Sequence, residues 1–298
     1  MRVSFYQAQT DNIHNSTAMI AGMVTLLTAM GVVIGATYGD ALTGALGAFT
    51  VAGGMGTYTW FAGAGTILSM SGAKQVSHDV HPQLFNIVEE MKIASGLPMP
   101  KVYIIESEAP NAFATGRDPE HSAVAVTTGL LAKLNRDELQ GVIAHEMSHI
   151  RNYDIRFAMI AAIMVGSIAL ISDAFLRSRR SGRGGHPVMI VVALLLAALA
   201  PLSATILQMA ISRQREFLAD ASAVELTRNP DGLASALYKI THDDKPLDTA
   251  NRATQHLYIV NPLKSFSMKS SNLFSTHPPT EARLRALGQM GADISRLL

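Results

Sequence analysis

Two histidines and a glutamate lie close together in the chain, as His145, Glu146 and His149. Residues four apart in a helix share one face, about one turn from each other, so both imidazoles can reach one metal ion. A glutamate beside the first histidine can take a proton from a metal-bound water as that water attacks a carbonyl. The spacing therefore predicts a zinc site for hydrolysis, with Glu146 as general base. The alternative is a pair of surface histidines on an amphipathic helix.

A catalytic zinc ion needs a third protein ligand and one open position. The chain contains no cysteine, so this ligand must be a histidine, an aspartate or a glutamate. Eight further histidines are available, namely His14, His78, His81, His121, His186, His242, His256 and His277. A better candidate is Glu216, because Asp220 follows it by four residues on a predicted helix and could accept a hydrogen bond from a ligating histidine. A solvated charged face is the alternative for this pair.

The helix that carries His145 and His149 has a recognisable start, because Asn135 and Glu138 have the spacing of a capping box. Apolar residues recur at helical spacing after this start, at Leu139, Val142 and Ile143. A helix and three short strands are predicted upstream, at Pro82–Ser95, Lys101–Ile105, Asn111–Thr115 and Ala123–Thr127. The histidine helix is therefore expected to pack with a small sheet.

The predicted strand Asn111–Thr115 is the candidate for substrate binding. An extended peptide can add itself to an exposed sheet edge, where backbone hydrogen bonds supply affinity and side-chain pockets supply modest specificity. We therefore expect Asn111, Ala112 and Phe113 to line the substrate. An ordinary strand inside the sheet is the alternative, and the sequence does not separate the two.

Charged residues are scarce and unevenly distributed, at 16% of the 298 residues against about 25% in a typical soluble domain. They nearly vanish from three regions, Asn12–Ala73, Phe157–Leu176 and Gly184–Ser212. Apolar stretches of about 20 residues can span a bilayer. Four transmembrane helices are therefore predicted, at Thr17–Thr37, Ala41–Met70, Ile155–Leu176 and Val188–Ile211. Buried helices of a soluble protein are the alternative.

The order of these motifs resembles that of the HtpX-type membrane zinc proteases, which are gluzincins related to the CAAX prenyl proteases. The similarity extends over nearly the whole chain. It includes the HExxH motif, the hydrophobic stretches, Arg215-Glu216-x-x-x-Asp220, Ser275–Arg283 and Asn111–Gly116. The resemblance implies one zinc ion per chain, held by His145, His149 and Glu216, with Asp220 behind a ligand.

The resemblance also implies that His277 and Arg283 lie near the substrate carbonyl, where a donor or a cation stabilises the developing oxyanion. From the residues alone, His277 belongs only to a rigid entry into a helix that begins at Thr280, and Arg283 is a solvated residue of that helix.

The predicted fold class is an α+β membrane protein, mostly helical, with four transmembrane helices and a gluzincin-like zinc protease domain that contains a small sheet. Residues 1–73 form an N-terminal transmembrane hairpin, and residues 157–212 form a second hydrophobic hairpin. Residues 74–156 and 213–298 form the two parts of the catalytic domain, the second of which supplies the third ligand and a helix on the substrate side.

The zinc ligands constrain the membrane topology, because His145 and Glu216 must meet on one side. Seven Lys and Arg residues lie near span ends on that side, against four on the other, which places the site in the cytoplasm. The four are Arg177, Arg179, Arg180 and Arg183, and they are unfavourable in a translocated loop. Incomplete membrane entry of the last two spans, or binding of the loop to anionic headgroups, is the alternative.

The leading hypothesis is a cytoplasm-facing zinc endopeptidase of the bacterial inner membrane that cleaves misfolded or damaged membrane proteins in protein quality control and stress response. Its partners would be polypeptide substrates and the lipid bilayer, since a net charge of +1 gives no reason to expect nucleic acid. One rival is a catalytically silent zinc-binding membrane scaffold. Another is a channel or transporter, although Asp40 and Asp173 both lie near predicted span ends rather than at mid-membrane depth. Either Met1–His14 or, more strongly, Asp243–Phe274 is expected to cover the cleft.

Overall fold

Two long hydrophobic helices precede a domain of helices and one small sheet. The computed structural model describes residues 5–37, 39–164, 166, 213–247, 254, 257–260, 278–295 and 297. Half of the third predicted span and all of the fourth lie outside these residues. The same is true of Asp173, His277 and the four arginines between positions 177 and 183.

The first two helices, α1 (Phe5–Thr37) and α2 (Ala41–Met70), pack against each other. Asp40 caps α2 by accepting a hydrogen bond from the backbone N–H of Thr43. The two backbones approach closely at Gly44, where an added Cβ would collide with the carbonyl oxygen of Gly31. Glycine therefore permits the tight packing that is typical of membrane helices.

One stretch of the described chain, Gln9–Ala36, has the length and hydropathy of a membrane-spanning helix, and 11% of its most apolar window is buried. Helix α2 is also long, but among the described helices Gln9–Ala36 alone meets both criteria. One of the four predicted spans thus has the character of a membrane helix, and the other three stay predictions.

The sheet has four strands in the order β1-β2-β4-β3. These are β1 (Ala73–Gln75), β2 (Lys101–Ile105), β3 (Ala112–Gly116) and β4 (Ser122–Thr127). Strands β2 and β4 run parallel, and β3 pairs antiparallel with β4, with Phe113 opposite Ala125. The three predicted strands are confirmed, and β3 lies at one edge of the described sheet, with β1 at the other.

Seven further α-helices belong to the described fold, besides a short 3₁₀ helix at Pro119–His121. They are α3 (Pro82–Ser95), α4 (Thr128–Lys133), α5 (Arg136–Arg151), α6 (154–164), α7 (Arg213–Thr227), α8 (Pro230–Thr241) and α9 (Thr280–Gln289). Helix α5 begins with the predicted capping box, in which the backbone N–H groups of Asn135 and Glu138 each donate to the other side chain.

Helix α5 lies at the centre of the domain, between the sheet and helices α3, α7 and α8. One apolar cluster joins α5 to the sheet and to α8 through residues such as Val124, Val142 and Leu237, all fully buried. A second cluster joins the end of α2 to β3 and α6 through Ile67, Phe113 and Met159. The HExxH motif therefore lies on a rigid element that is packed on several sides.

Candidate metal and catalytic site

Helices α5 and α7 bring the three predicted ligands together. One atom each of His145, His149 and Glu216 lies within 4.8 Å of the others. The two Nε2 atoms are 3.2 Å apart, and the Glu216 carboxylate oxygens lie 3.6 Å from Nε2 of His149 and 3.8 Å from Nε2 of His145. Ligand atoms about 2.0–2.1 Å from a tetrahedral zinc ion are about 3.4 Å from one another. The spacing therefore fits one metal ion.

The outer nitrogen of each histidine lies against a carboxylate. Nδ1 of His145 is 3.0 Å from Asp220 Oδ1, and Nδ1 of His149 is 2.9 Å from Asp154 Oδ2. Each Nδ1 donates its proton to that carboxylate, so in the neutral rings the Nε2 lone pairs point at each other. Two facing lone pairs beside a carboxylate are a donor set that a divalent cation satisfies.

Asp220 lies behind His145, as the resemblance implies, and it is fully buried together with Arg283. The Arg283 guanidinium donates from Nε to Asp220 Oδ2 at 2.9 Å and from Nη2 to Asp220 Oδ1 at 2.6 Å. Burial opposes ionisation of Asp220, but the charge of Arg283 outweighs it and keeps the pKa of that carboxyl below its ordinary value. The expectation for Arg283 was a position near the substrate carbonyl. Its observed partners are Asp220, the backbone carbonyl of Ile259 at 3.1 Å from Nη1, and the predicted ligand Glu216 at 3.7 Å from Nη1.

Glu146 is buried next to His145, and the backbone N–H of Ala114 on β3 faces its carboxylate. Burial raises the pKa of Glu146 to about 7, and the negative charge of Glu216 adds to this rise. A carboxyl with a pKa near neutrality can both accept and return a proton. The adjoining cavity measures about 40 Å³, which is room for about one water molecule.

The two histidines differ in charge. Burial and the positive charge of Arg283 lower the pKa of His145 to about 4, so its imidazole is neutral. Burial also disfavours the charged form of His149, but the carboxylates of Asp154 and Glu216 outweigh it and raise the pKa of His149 to about 9. A metal ion must therefore displace a proton from His149 when it binds.

Asp154 is a site residue that the sequence reasoning missed. It follows α5 by three residues and pairs with the second predicted ligand, His149, while its other oxygen accepts a hydrogen bond from Asn12 of α1 at 2.6 Å. Arg215, the residue before Glu216, lies 3.4 Å from the same oxygen. The available signal was an acidic residue just after the HExxH helix, but its spacing of five from His149 matches no helical pair.

The predicted substrate strand is partly covered by another segment of the chain, Leu257–Val260. The backbone N–H of Ile259 donates to the Ala112 carbonyl at 3.0 Å, and the Asn111 amide donates to the Val260 carbonyl at 2.9 Å. Tyr258 is buried against Phe113, with ring centroids 5.0 Å apart. Residues Leu257–Val260 of the predicted cover Asp243–Phe274 therefore lie against this strand.

Comparisons with known proteins agree with this geometry. The model of peptidase family M48 matches residues 79–290 of the chain. A Protease HtpX homolog of Dictyoglomus turgidum is 52% identical over 225 residues, which cover 74% of this chain and 73% of the relative. A Protease HtpX homolog of Ligilactobacillus salivarius is 42% identical over 296 residues, which cover 96% of this chain and 99% of the relative.

A solved structure resembles the fold. The crystal structure of S. mikatae Ste24p matches with a TM-score of 0.51 and 19% sequence identity, covering 96% of this chain and 67% of that chain. At this identity the likeness concerns the fold alone.

Proposed function

The chain belongs to peptidase family M48, and we propose that it is a membrane-integral zinc endopeptidase in which His145, His149 and Glu216 hold the metal. The observation that carries the proposal is the convergence of two Nε2 atoms and one carboxylate at distances that suit one zinc ion. The resemblance of the motifs to the HtpX-type proteases is confirmed by the relatives.

The proposed chemistry is attack of water on a peptide carbonyl. A bound zinc ion would polarise that carbonyl and lower the pKa of the water. Glu146 accepts the proton of the attacking water and passes it to the leaving amine, which its raised pKa favours. Asp220 and Asp154 orient the two histidines, so that both present Nε2 to the same point.

The substrate is proposed to bind as an extended strand beside β3, next to Asn111, Ala112 and Phe113. Support comes from the position of β3 at the sheet edge and from Ala114, whose N–H faces Glu146. The segment Leu257–Val260 already uses the carbonyl of Ala112, so a substrate strand must either displace it or bind farther along β3. His277 and Arg283 remain candidates for stabilising the oxyanion.

We propose that the protein lies in the bacterial inner membrane, which it crosses several times, with its site in the cytoplasm. Residues 1–73 and 157–212 would form the two hydrophobic hairpins, and residues 74–156 and 213–298 would form the catalytic domain. The lipid-facing surface is supported by α2, where Leu42 and Phe61 are 68% and 72% exposed. A single cysteine in place of Ser181 tests the topology in intact cells. Full crossing of the second hairpin predicts labelling by an impermeant reagent, and labelling only after lysis would contradict it.

The substrates we propose are misfolded or damaged membrane proteins, which a site close to the bilayer could reach. Purified protein in detergent is analysed for metal and then assayed on casein and on a membrane-protein substrate. We expect one zinc ion per chain, and a loss of about 100- to 10,000-fold in turnover for Glu146→Gln with zinc retained. Glu225→Gln, an exposed glutamate on α7, is the matched control and should leave turnover unchanged.

The same assay separates the two candidate functions. A wild-type protein that binds zinc and cleaves nothing would favour the silent scaffold. Full activity of Glu146→Gln would refute the assigned mechanism.

A further inference from the structure

The first hydrophobic helix is longer than a membrane requires. Its 33 residues extend over about 50 Å, whereas the hydrocarbon core is about 30 Å thick. The excess lies at the N-terminal end of α1, which reaches the catalytic domain. Two polar residues there, Asn12 and Ser16, are 3% and 1% exposed, although most of the helix is open to its surroundings.

The buried amide of Asn12 is fully used in hydrogen bonds. Its Nδ2 donates to Asp154 Oδ1 at 2.6 Å and to the backbone carbonyl of Asn152 at 2.9 Å. Its Oδ1 accepts a hydrogen bond from Nη1 of Arg215 at 3.1 Å. One turn earlier, Gln9 donates to the carbonyl of Arg151 at 2.8 Å. Helix α1 therefore caps the C-terminal end of the helix that carries both histidine ligands.

These contacts lead directly to the metal ligands. The carboxylate of Asp154 has one oxygen on Asn12 and the other on Nδ1 of His149. Arg215 contacts Asn12 and Asp154 and directly precedes the third ligand, Glu216. The side-chain amide of Asn12 thus fixes two groups. One is the carboxylate of Asp154, which orients His149, and the other is the side chain of Arg215, which directly precedes Glu216.

We propose that Asn12 is a positioning residue of the metal site, which makes the first hydrophobic helix a structural part of the active site. Asn12 acts through Asp154 on the ring of His149, and it touches neither metal nor substrate. The proposal rests on the proposed function, since it requires that zinc binds at His145, His149 and Glu216. It implies that zinc affinity depends on how α1 docks against α5.

The test is the zinc dissociation constant of the full chain in detergent, measured by competition with a chelator. Asn12→Ala and the near-isosteric Asn12→Leu remove the amide, and thermal unfolding identifies which of them folds as the wild type does. Loss of a group that orients a ligand commonly weakens metal binding 10- to 100-fold. We expect a folded Asn12 variant to bind zinc about 10-fold more weakly. Asn15→Ala, the same kind of change one position before Ser16 on the same helix, should bind zinc as the wild type does.

A double variant tests the route through Asp154. If Asn12 acts on His149 through that carboxylate, Asn12→Leu should have no further effect on zinc affinity in an Asp154→Asn background. Zinc affinity within twofold of the wild type for a folded Asn12 variant would overturn the proposal. Independent, multiplicative losses in the double variant would do the same, and so would failure of both single variants to fold. A wild-type chain that binds no zinc would instead contradict the proposed function itself.

Discussion

The two histidines that we propose as metal ligands are held by parts of the molecule with different character. His145 is oriented by Asp220, which forms a fully buried, bidentate ion pair with Arg283 of the C-terminal helix α9. His149 is oriented by Asp154, whose further contacts are an amide of α1 and the guanidinium of Arg215. The first arrangement is a closed charge cluster within the catalytic domain, and the second connects the site to a hydrophobic helix.

The two arrangements are expected to differ in what a substitution changes. At one it is the free energy of unfolding, and at the other it is the metal affinity. A buried ion pair is sensitive to the loss of either partner, because the remaining charge is left in a medium that solvates it poorly. A hydrogen bond from a neutral amide leaves no charge behind when it is removed, so its loss is tolerated more easily. We therefore expect changes near His145 to act on folding and changes near His149 to act on metal affinity.

The largest effect is expected for Arg283→Met, which leaves Asp220 buried without its cation. The free energy of unfolding should fall by about 3–5 kcal/mol, measured by thermal or denaturant unfolding in detergent. Arg285→Met is the matched control on the exposed face of α9 and should change stability by less than about 0.5 kcal/mol. Equal free energies of unfolding for the two variants would show that the buried ion pair behind His145 does not stabilise the fold.

A smaller effect on folding and a clear effect on zinc are expected for Asp154→Asn. The cations that it leaves unpaired, Arg215 and His149, keep 17% and 16% of their side chains exposed, so water solvates them better than it would solvate Asp220 without Arg283. The amide cannot attract the Nδ1 proton of His149 as the carboxylate does, so zinc affinity should fall by about 10- to 100-fold. The melting temperature should fall far less than in Arg283→Met. A large loss of stability with unchanged zinc affinity would contradict the expectation that changes near His149 act on metal affinity rather than on folding.

The residues that orient His145 and those that orient His149 also differ in how far the sequence predicted them. On the His145 side, the spacing of HExxH and the four-residue step from Glu216 to Asp220 reflect helical geometry, which is local in sequence. On the His149 side, the chain leaves α5 through Tyr153, which has a positive φ of 60°, so Asp154 approaches its histidine outside any helical register. Asn12 lies 142 residues from Asp154, and no local pattern relates them.

The sequence predicted the elements of the fold that depend on local patterns. It did not predict the features that depend on tertiary packing. The capping box of Asn135 and Glu138 and the three strands after α3 follow from turn residues and apolar periodicity. Strand β1 was missed, because Ala73–Gln75 is only three residues long and has no residue that favours strands. The partner of Arg283 was also missed, because an arginine on a short amphipathic helix gives no sign of a buried aspartate across the domain.

Helix α5 carries both histidines, so weakening the capping box at its start should not affect one histidine more than the other. Glu138 accepts hydrogen bonds from the Asn135 backbone, from Ser235 and from Lys239, and Glu138→Gln should cost about 1–2 kcal/mol at pH 7 with zinc affinity unchanged. Burial opposes ionisation of Glu138, but these donors outweigh it and lower its pKa below the ordinary 4.5. A lowered pKa means that the ionised carboxylate stabilises the fold above pH 4.5, and that this contribution is lost as pH falls through the folded-state value.

The measurement for Glu138 is stability against pH for wild type and Glu138→Gln. Their difference should be constant near neutrality and should shrink as the solution is acidified below about pH 4.5. Glu89→Gln, an exposed residue of α3, serves as the control and should track the wild type throughout. A difference that grows on acidification would contradict the lowered pKa.

The smallest effect concerns the segment in front of the ligands rather than the residues behind them. Ile259 connects β3 to the His145 side of the site, since its N–H donates to Ala112 on β3 and its carbonyl accepts from Nη1 of Arg283. Ile259→Pro removes the first of these bonds, which a substrate strand would otherwise have to replace, and it also replaces a buried apolar side chain. A hydrogen bond contributes about 1 kcal/mol net, so kcat/KM on an extended peptide should rise about fivefold. Ile259→Val keeps the N–H and most of the side chain and should cleave at the wild-type rate. Unchanged or slower cleavage by the proline variant, with zinc content intact, would mean that Leu257–Val260 belongs to the substrate site instead of competing for it.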